Sequence, residues 1–464
     1  MDKIDTDFVP APPLLAGPIP PAAPLPFFKY VRTVQHNTIA GFHQDVYRQW
    51  IIETRLWKLH TFIVNDPAGI RHVLVDNADN YIKGTIEQRI SGVSSDKRVI
   101  ASEGEDWSER RRTMSSSFDY RSIAQNSSII LPAAQSLLAR WSTLSQGTVI
   151  EVSTEMARLT LDIISRIVFS SDSAQLAPIM ERAFRRSQTE RVFDLLDFAP
   201  LLDRPWAAYR RHKSRGIFKD FDESIDHLIA MRAGQRTHSG DDLLGRLIRE
   251  KDPETGRGLS AQEIHGQITT VVGAGHQSVA LALTWIWYLL SQHPLQEATL
   301  HAEFDRVLAG RIPALDDLPK LPYTRMVIEE ALRLYPPFPA MAWREALADD
   351  DVCGIKIPKG STVSIVPWVL HRHTKLWDHP EQFDPERFSP DRSAGRSRYA
   401  YLPFGIGPRV CIGASFAMTE MMLILATLAQ PYRLRLAPGH RVEPQGLVSL
   451  WPRYGLKATL ERVK

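Results

Sequence analysis

The stretch FGIGPRVCIG, Phe404 to Gly413, contains one of only two cysteines in 464 residues. Gly405, Gly407, Gly413, Pro408 and Arg409 crowd around Cys411, and the apolar run ASFAMTEMMLILATLAQ follows. Three roles compete for this thiol. A structural zinc site needs about four clustered ligands, and neither a second cysteine nor a suitably spaced histidine lies nearby. A nucleophile needs a base, which the sequence leaves open. An axial thiolate to haem iron suits the surroundings. The three glycines remove side chains where backbone must pass close to a flat ligand. A helix starting just after Cys411 sets its positive end beside the sulfur and should lower the thiol pKa. Arg409 offers a planar fork for a propionate.

Composition narrows the classes outside this loop. Lysine and arginine number 56 against 53 acidic residues, and 44% of residues are hydrophobic. The chain can bury a large core and shows no dense basic stripe interleaved with aromatics, so nucleic acid is not expected. Two cysteines exclude a disulfide framework and point to a reducing, cytoplasmic setting. Cys353, in DDDVCGIKIPKG, reads as a buried strand residue. From Pro10 to Pro26 eight of seventeen residues are proline, so residues 1–29 are expected to be an extended segment. The one run of membrane length, Ile268 to Leu290, is interrupted by Gly273, Gly275, His276, Gln277 and Ser278. These are costly in lipid, so a buried central helix is expected and no membrane anchor.

Alternation near residues 58–66 predicts strand, then a short helix after Pro67. Helical periodicity dominates from Trp107 to Tyr335, punctuated by Pro294, Gly310 and Pro322. Gly-bounded β-branched strands follow, and His440 to Val463 reads as a closing hairpin. The expectation is one mainly α domain over 30–464 with a small β portion.

FGIGPRVCIG also resembles the cysteine-loop signature F-x-x-G-x-R-x-C-x-G of the cytochrome P-450 family, at Phe404, Gly407, Arg409, Cys411 and Gly413. Other landmarks agree in order: W-x-x-x-R as Trp107 and Arg111, E-x-x-R as Glu330 and Arg333, and the P-E-R-F segment with Arg387. The resemblance, of the soluble bacterial type, implies a prism-shaped helical domain with haem b between helices I and L. It implies Cys411 as the axial iron ligand and Trp107, Arg111, Arg409 and Arg344 as propionate contacts, with Phe404 beside the haem. It further implies a buried cluster of Glu330, Arg333 and Arg387 that braces the cysteine loop.

Helix I departs from the family pattern. Where the family places an acid and a threonine that relay protons, this chain has Gln277 and Ser278. Ala274 and Ser278 are four apart and share a face. Ser278 keeps a hydroxyl donor, whereas Gln277 cannot ionise. His276 reads as a hydrogen-bonded packing residue. Expected pocket walls are Val271, Val272 and Ala274, then Phe338 to Ala342, including Met341, and Val448 to Leu450; residues 85–100 and 190–206 fall where the family carries its lid. Such apolar walls suit a terpenoid, steroid, fatty acid or aromatic.

The function expected from the resemblance is a haem-thiolate monooxygenase acting on a hydrophobic small molecule. With no flavin, nicotinamide or iron–sulfur segment in the sequence, a separate ferredoxin or flavodoxin-like donor is expected, with Arg110 and Arg112 in its docking patch. Peroxide-driven oxidation, rearrangement or dehydration, and a non-catalytic haem-based ligand binder are the alternatives.

Overall fold

The helices that position the site are α1 (Phe27–His36), α2 (Gly104–Ser115), α3 (Val152–Phe169), α4 (Ala261–Gln292), α5 (Pro322–Leu334) and α6 (Ala414–Ala429). This computed structural model describes residues 15–56, 59–84, 98–115, 118, 120–170, 173–187, 203–234 and 242–463. Of the stretches expected to form a lid, residues 85–97 and 190–202 lie outside the described residues, as do residues 1–14.

The apolar run Ile268–Leu290 lies within α4, which starts from a capping box: the Ser260 amide donates to Glu263 Oε2 at 2.9 Å and the Glu263 amide to Ser260 Oγ. That reciprocal pair satisfies amides that the first turn leaves without helical partners. Past Ser278, every residue from Val279 to Leu290 is buried, as expected of a helix enclosed on all sides. α3 runs along it, and Ile163 and Ile167 join Val279, Leu283 and Ile286 in the main core. α5 and α6 complete that core through Val327, Ile328, Leu425 and Leu428. Pro294 opens the next helix, Pro294–Val307, and Gly310 follows its end at φ +81°, as the sequence predicts.

A five-stranded sheet of β1 (Ile51–Leu56), β2 (Leu59–Val64), β3 (Tyr81–Lys83), β4 (Met341–Ala346) and β5 (Thr362–Ile365) runs in the order β1-β2-β5-β4-β3. β2 and β5 are parallel; the other neighbours are antiparallel. One face, with Phe62, Val64, Val363 and Ile365, closes a separate apolar cluster. Of the expected closing hairpin, Pro444–Gly446 pairs with Leu450–Pro452, whereas Lys457–Arg462 instead joins Tyr432–Leu436 in a separate sheet. From Leu15 to Leu25 the Pro-rich segment carries no helix, but α1 starts at Phe27, within the stretch 1–29 expected to be extended. Cys353 departs from expectation: it is exposed, in the turn between strands Asp350–Val352 and Ile355–Ile357, at φ +52°. Among the described residues no helix is long and apolar enough to cross a membrane.

Candidate active site

The cysteine loop is held open by its own backbone. The Cys411 amide donates to Phe404 O at 2.9 Å, and Gly405 and Gly407 take φ of +72° and +78°. The requirement at Gly407 comes from the protein, not from a flat ligand: a Cβ there would sit 2.0 Å from Leu74 O. Gly413 has room for one, its nearest neighbour being Phe118 at 3.9 Å.

A cavity of about 240 Å³ lies between this loop and α4. Phe404, Cys411, Gly413 and Phe416 form one side, and Val271, Ala274, Gly275 and Ser278 the other, with Phe338 at the edge. Cys411 is accessible because it borders this cavity. Burial pushes its thiol up; a Gly413 backbone hydrogen bond and the Arg111 charge pull the other way without winning. This direction departs from the lowered pKa expected from the helix end alone. The desolvation of a recessed sulfur exceeds what one amide and one guanidinium return.

At the loop's flank the Arg409 guanidinium stacks 4.4 Å over the Trp107 ring. It donates to Ser102 O at 3.0 Å and pairs with Glu103. The propionate fork expected of Arg409 is thus engaged by Glu103, a partner the loop sequence does not announce. Arg111, on the same helix as Trp107, sends its charge toward Cys411. Arg344 lies on β4, buried and in register with Lys83.

Glu330, Arg333 and Arg387 meet in the interior. Glu330 accepts from Arg333 Nε at 2.6 Å and Nη2 at 2.8 Å, from Arg387 Nε at 3.3 Å and from the Asp384 amide at 2.9 Å. Arg333 donates onward to the carbonyls of His371, Pro380 and Gln382. His371 Nε2 in turn accepts the Leu402 amide at 2.9 Å, which ties the cluster to the segment entering the cysteine loop.

Several expected positions lie elsewhere. Gln277 does not face the cavity: its Nε2 donates to Ser449 Oγ at 3.1 Å, which also receives Trp451 Nε1. Val272 is fully buried in the core beside the cavity, not on its wall. Leu450 is buried among core residues, and Val448 is 45% exposed on the hairpin turn. Met341 is placed as the first residue of β4, with its side chain outside the description. Arg110 cannot join a docking patch: it is 3% exposed and donates to Asp106 and Glu263. Arg112 pairs with Asp252 and Glu254. His276 is a buried packing residue whose Nδ1 lies 2.9 Å from Val272 O, and burial lowers its pKa to about 4. Cavity residues that the sequence does not mark include Ile164 and Ile167 on α3, and Arg246. Their only signal is the close approach of α3 to α4, where a Cβ on Gly275 would stand 3.2 Å from Ile164 Cδ1.

Glu420 is buried on α6, and burial lifts its carboxyl to about 8. Its folded pKa therefore lies above its unfolded value of 4.5. The native state keeps a proton that the unfolded chain releases, so stability falls as pH rises between about 4.5 and 8, by up to about 1.4 kcal/mol per pH unit. Glu420→Gln should flatten that slope. Thermal melts of the two proteins should nearly coincide at pH 4.5 and separate at pH 8, with the glutamine variant the more stable.

A family model described as Cytochrome P450 matches residues 18–457. The chain belongs to the cytochrome P450 family. It is 35% identical over 415 residues to cyclooctatin synthase of Streptomyces melanosporofaciens, covering 86% of each chain. It is 33% identical over 406 residues to pentalenene oxygenase of Streptomyces avermitilis, covering 86% of this chain and 88% of the relative. Among solved structures, a mutant cytochrome P450DA heme domain superposes with a TM-score of 0.78 at 25% identity, covering 96% of this P450 and 94% of that chain. The protein is an oxidoreductase of the monooxygenase class that uses haem b, an external electron donor and a hydrophobic substrate. The residues present fit the haem: a thiol borders a cavity with mostly apolar walls, and Arg111 and the Trp107–Arg409 stack stand beside the cysteine loop.

Proposed function

We propose that this P450 oxygenates a terpene hydrocarbon over a haem held by Cys411. The observation that carries the reading is a single cavity that joins the Cys411 thiol to the small, apolar face of α4. Val271, Ala274 and Gly275 leave room there, and Phe338, Ile164 and Ile167 present hydrocarbon to hydrocarbon. The names of the two Streptomyces relatives, a pentalenene oxygenase and a cyclooctatin synthase, favour a terpenoid over the other apolar classes. Bound haem would supply dioxygen activation, for which the external donor provides two electrons and solvent two protons. Cys411 would hold the iron, and Trp107, Arg111, Arg344 and, on leaving Glu103, Arg409 would orient the propionates. Titration of the ferric protein with cyclic terpene hydrocarbons, fatty acids and steroids tests the substrate class. A low- to high-spin shift with terpenes is expected; a shift only with fatty acids or steroids refutes it.

Ser278 is the proton-handling residue we assign. Its Oγ donates to Ala274 O at 2.8 Å, which leaves its lone pairs toward the cavity to accept from water. Gln277 instead ties α4 to the hairpin carrying Ser449. Ser278→Ala should lower product formed per reducing equivalent several-fold while the terpene spin shift persists. Gln277→Ala should leave that ratio unchanged and lower stability by about 1 kcal/mol. Coupling measured as product against NAD(P)H consumed separates the two. The electron donor we propose is a small ferredoxin or flavodoxin-like protein, to be distinguished by reduction rates with one surrogate of each.

A further inference from the structure

A second cavity, of about 200 Å³, lies between the N-terminal segment and the face of the sheet turned away from Phe62 and Val363. Its floor carries a row of hydroxyls. Thr54 on β1 pairs with Thr61 on β2, and Thr61 with Thr362 on β5, so three threonines line up across three strands. Ser364 follows two residues on, opposite Trp343 on β4. Alternation along each strand aims these side chains to one side. Thr362 and Ser364 are buried, whereas Thr54 is exposed at the rim. None of the four hydroxyls has a hydrogen-bond partner among the described residues. His43 Nδ1 on the same wall is also buried without a hydrogen bond, its nearest carboxylate being Asp45 at 3.7 Å. Tyr30 and Val34 of α1, with Leu25 and Phe42, make the opposite wall. Among the described residues no aspartate, glutamate, lysine or arginine lines the cavity.

We propose that this second cavity binds an uncharged, mostly apolar molecule that bears a hydroxyl or carbonyl oxygen. A pure hydrocarbon would leave Thr362 and Ser364 desolvated without partners, and a charged ligand would find no counter-charge. An alcohol or ketone satisfies the hydroxyl row with its oxygen and lays its carbon skeleton on α1 and Phe42. Among the described residues none lines both this cavity and the one at Cys411, although the two approach each other at Phe338 and Ala340. This second site needs no haem chemistry, so it stands whether or not the terpene reading does.

The test uses the full-length holoprotein with its haem cavity blocked by saturating clotrimazole, and equilibrium dialysis of labelled menthol. About one menthol per chain is expected to remain bound, with p-menthane, the same skeleton without the hydroxyl, competing at least tenfold less well. Thr362→Val with Ser364→Ala should weaken menthol about tenfold and leave clotrimazole binding intact. If that double variant fails to take up haem, Thr61→Val nearer the rim gives the same reading, with a loss of about threefold. No retained menthol, equal competition by p-menthane, or variants that bind menthol as the parent does would each overturn the proposal.

Discussion

Glu330→Gln is expected to yield protein that accumulates poorly and retains little haem. The substitution keeps the shape of the side chain and removes one charge, so the outcome isolates electrostatics. Glu330 and Arg333 are fully buried and Arg387 is 4% exposed. The carboxylate receives three guanidinium contacts and one backbone amide. A glutamine offers one acceptor oxygen and turns an NH₂ toward groups that are all donors. Two guanidinium groups then remain in the interior without a counter-charge, at a cost of about 3–5 kcal/mol. That is a large share of the 5–15 kcal/mol by which whole proteins are stable. The loss reaches the cysteine loop through Arg333, the His371 carbonyl and the His371–Leu402 bond. Haem content per chain and the thermal midpoint check it. Asp162→Asn, which breaks the half-exposed pair with Arg166, is the control and should cost no more than about 0.5 kcal/mol. Full haem occupancy in Glu330→Gln would show that the cluster does not brace the loop.

Features set by local chemistry were legible in the sequence, and features set by a distant partner were not. Helix ends at Pro294, Gly310 and Pro322 follow from backbone restrictions carried by the residue itself. The long apolar run of α4 admits one reading once lipid is excluded. The orientation of Gln277 is not legible from its place on helix I, because it is decided by Ser449, which folds against it from another element. Arg110 reads as a surface charge on helix periodicity, yet Glu263, at the start of α4, draws it inward. Val448 and Leu450 are two residues apart, but the hairpin turn points one to solvent and gives the other to the core. The second cavity has no motif, because its hydroxyl row exists only once β1, β2 and β5 are in register.

Gly407→Ala should abolish the cysteine loop's geometry more completely than removal of any side chain that touches the cavity. Two costs coincide at this residue. A φ of +78° is strained for any residue with a Cβ, by about 1 kcal/mol. The added methyl would also lie 2.0 Å from Leu74 O and 3.1 Å from Leu74 C. Both are backbone atoms within the π-helical turn His72–Asp76, where Val73 and Leu74 are buried against the sheet cluster. No rotamer change relieves such an overlap, so the loop must retreat by more than an ångström and carry Cys411 with it. Gly310→Ala supplies the comparison: φ there is +81° and nothing lies within 4 Å of the new Cβ. That variant should lose about 1 kcal/mol and keep its haem and thiolate spectrum. Gly407→Ala should give haem-free protein or a carbon-monoxide spectrum without the thiolate signature. If both variants lose only the strain, the Leu74 contact is compliant and the glycine serves φ alone. If Gly407→Ala alone loses thiolate ligation, the approach of Leu74 O to Gly407 is what fixes the height of the cysteine loop.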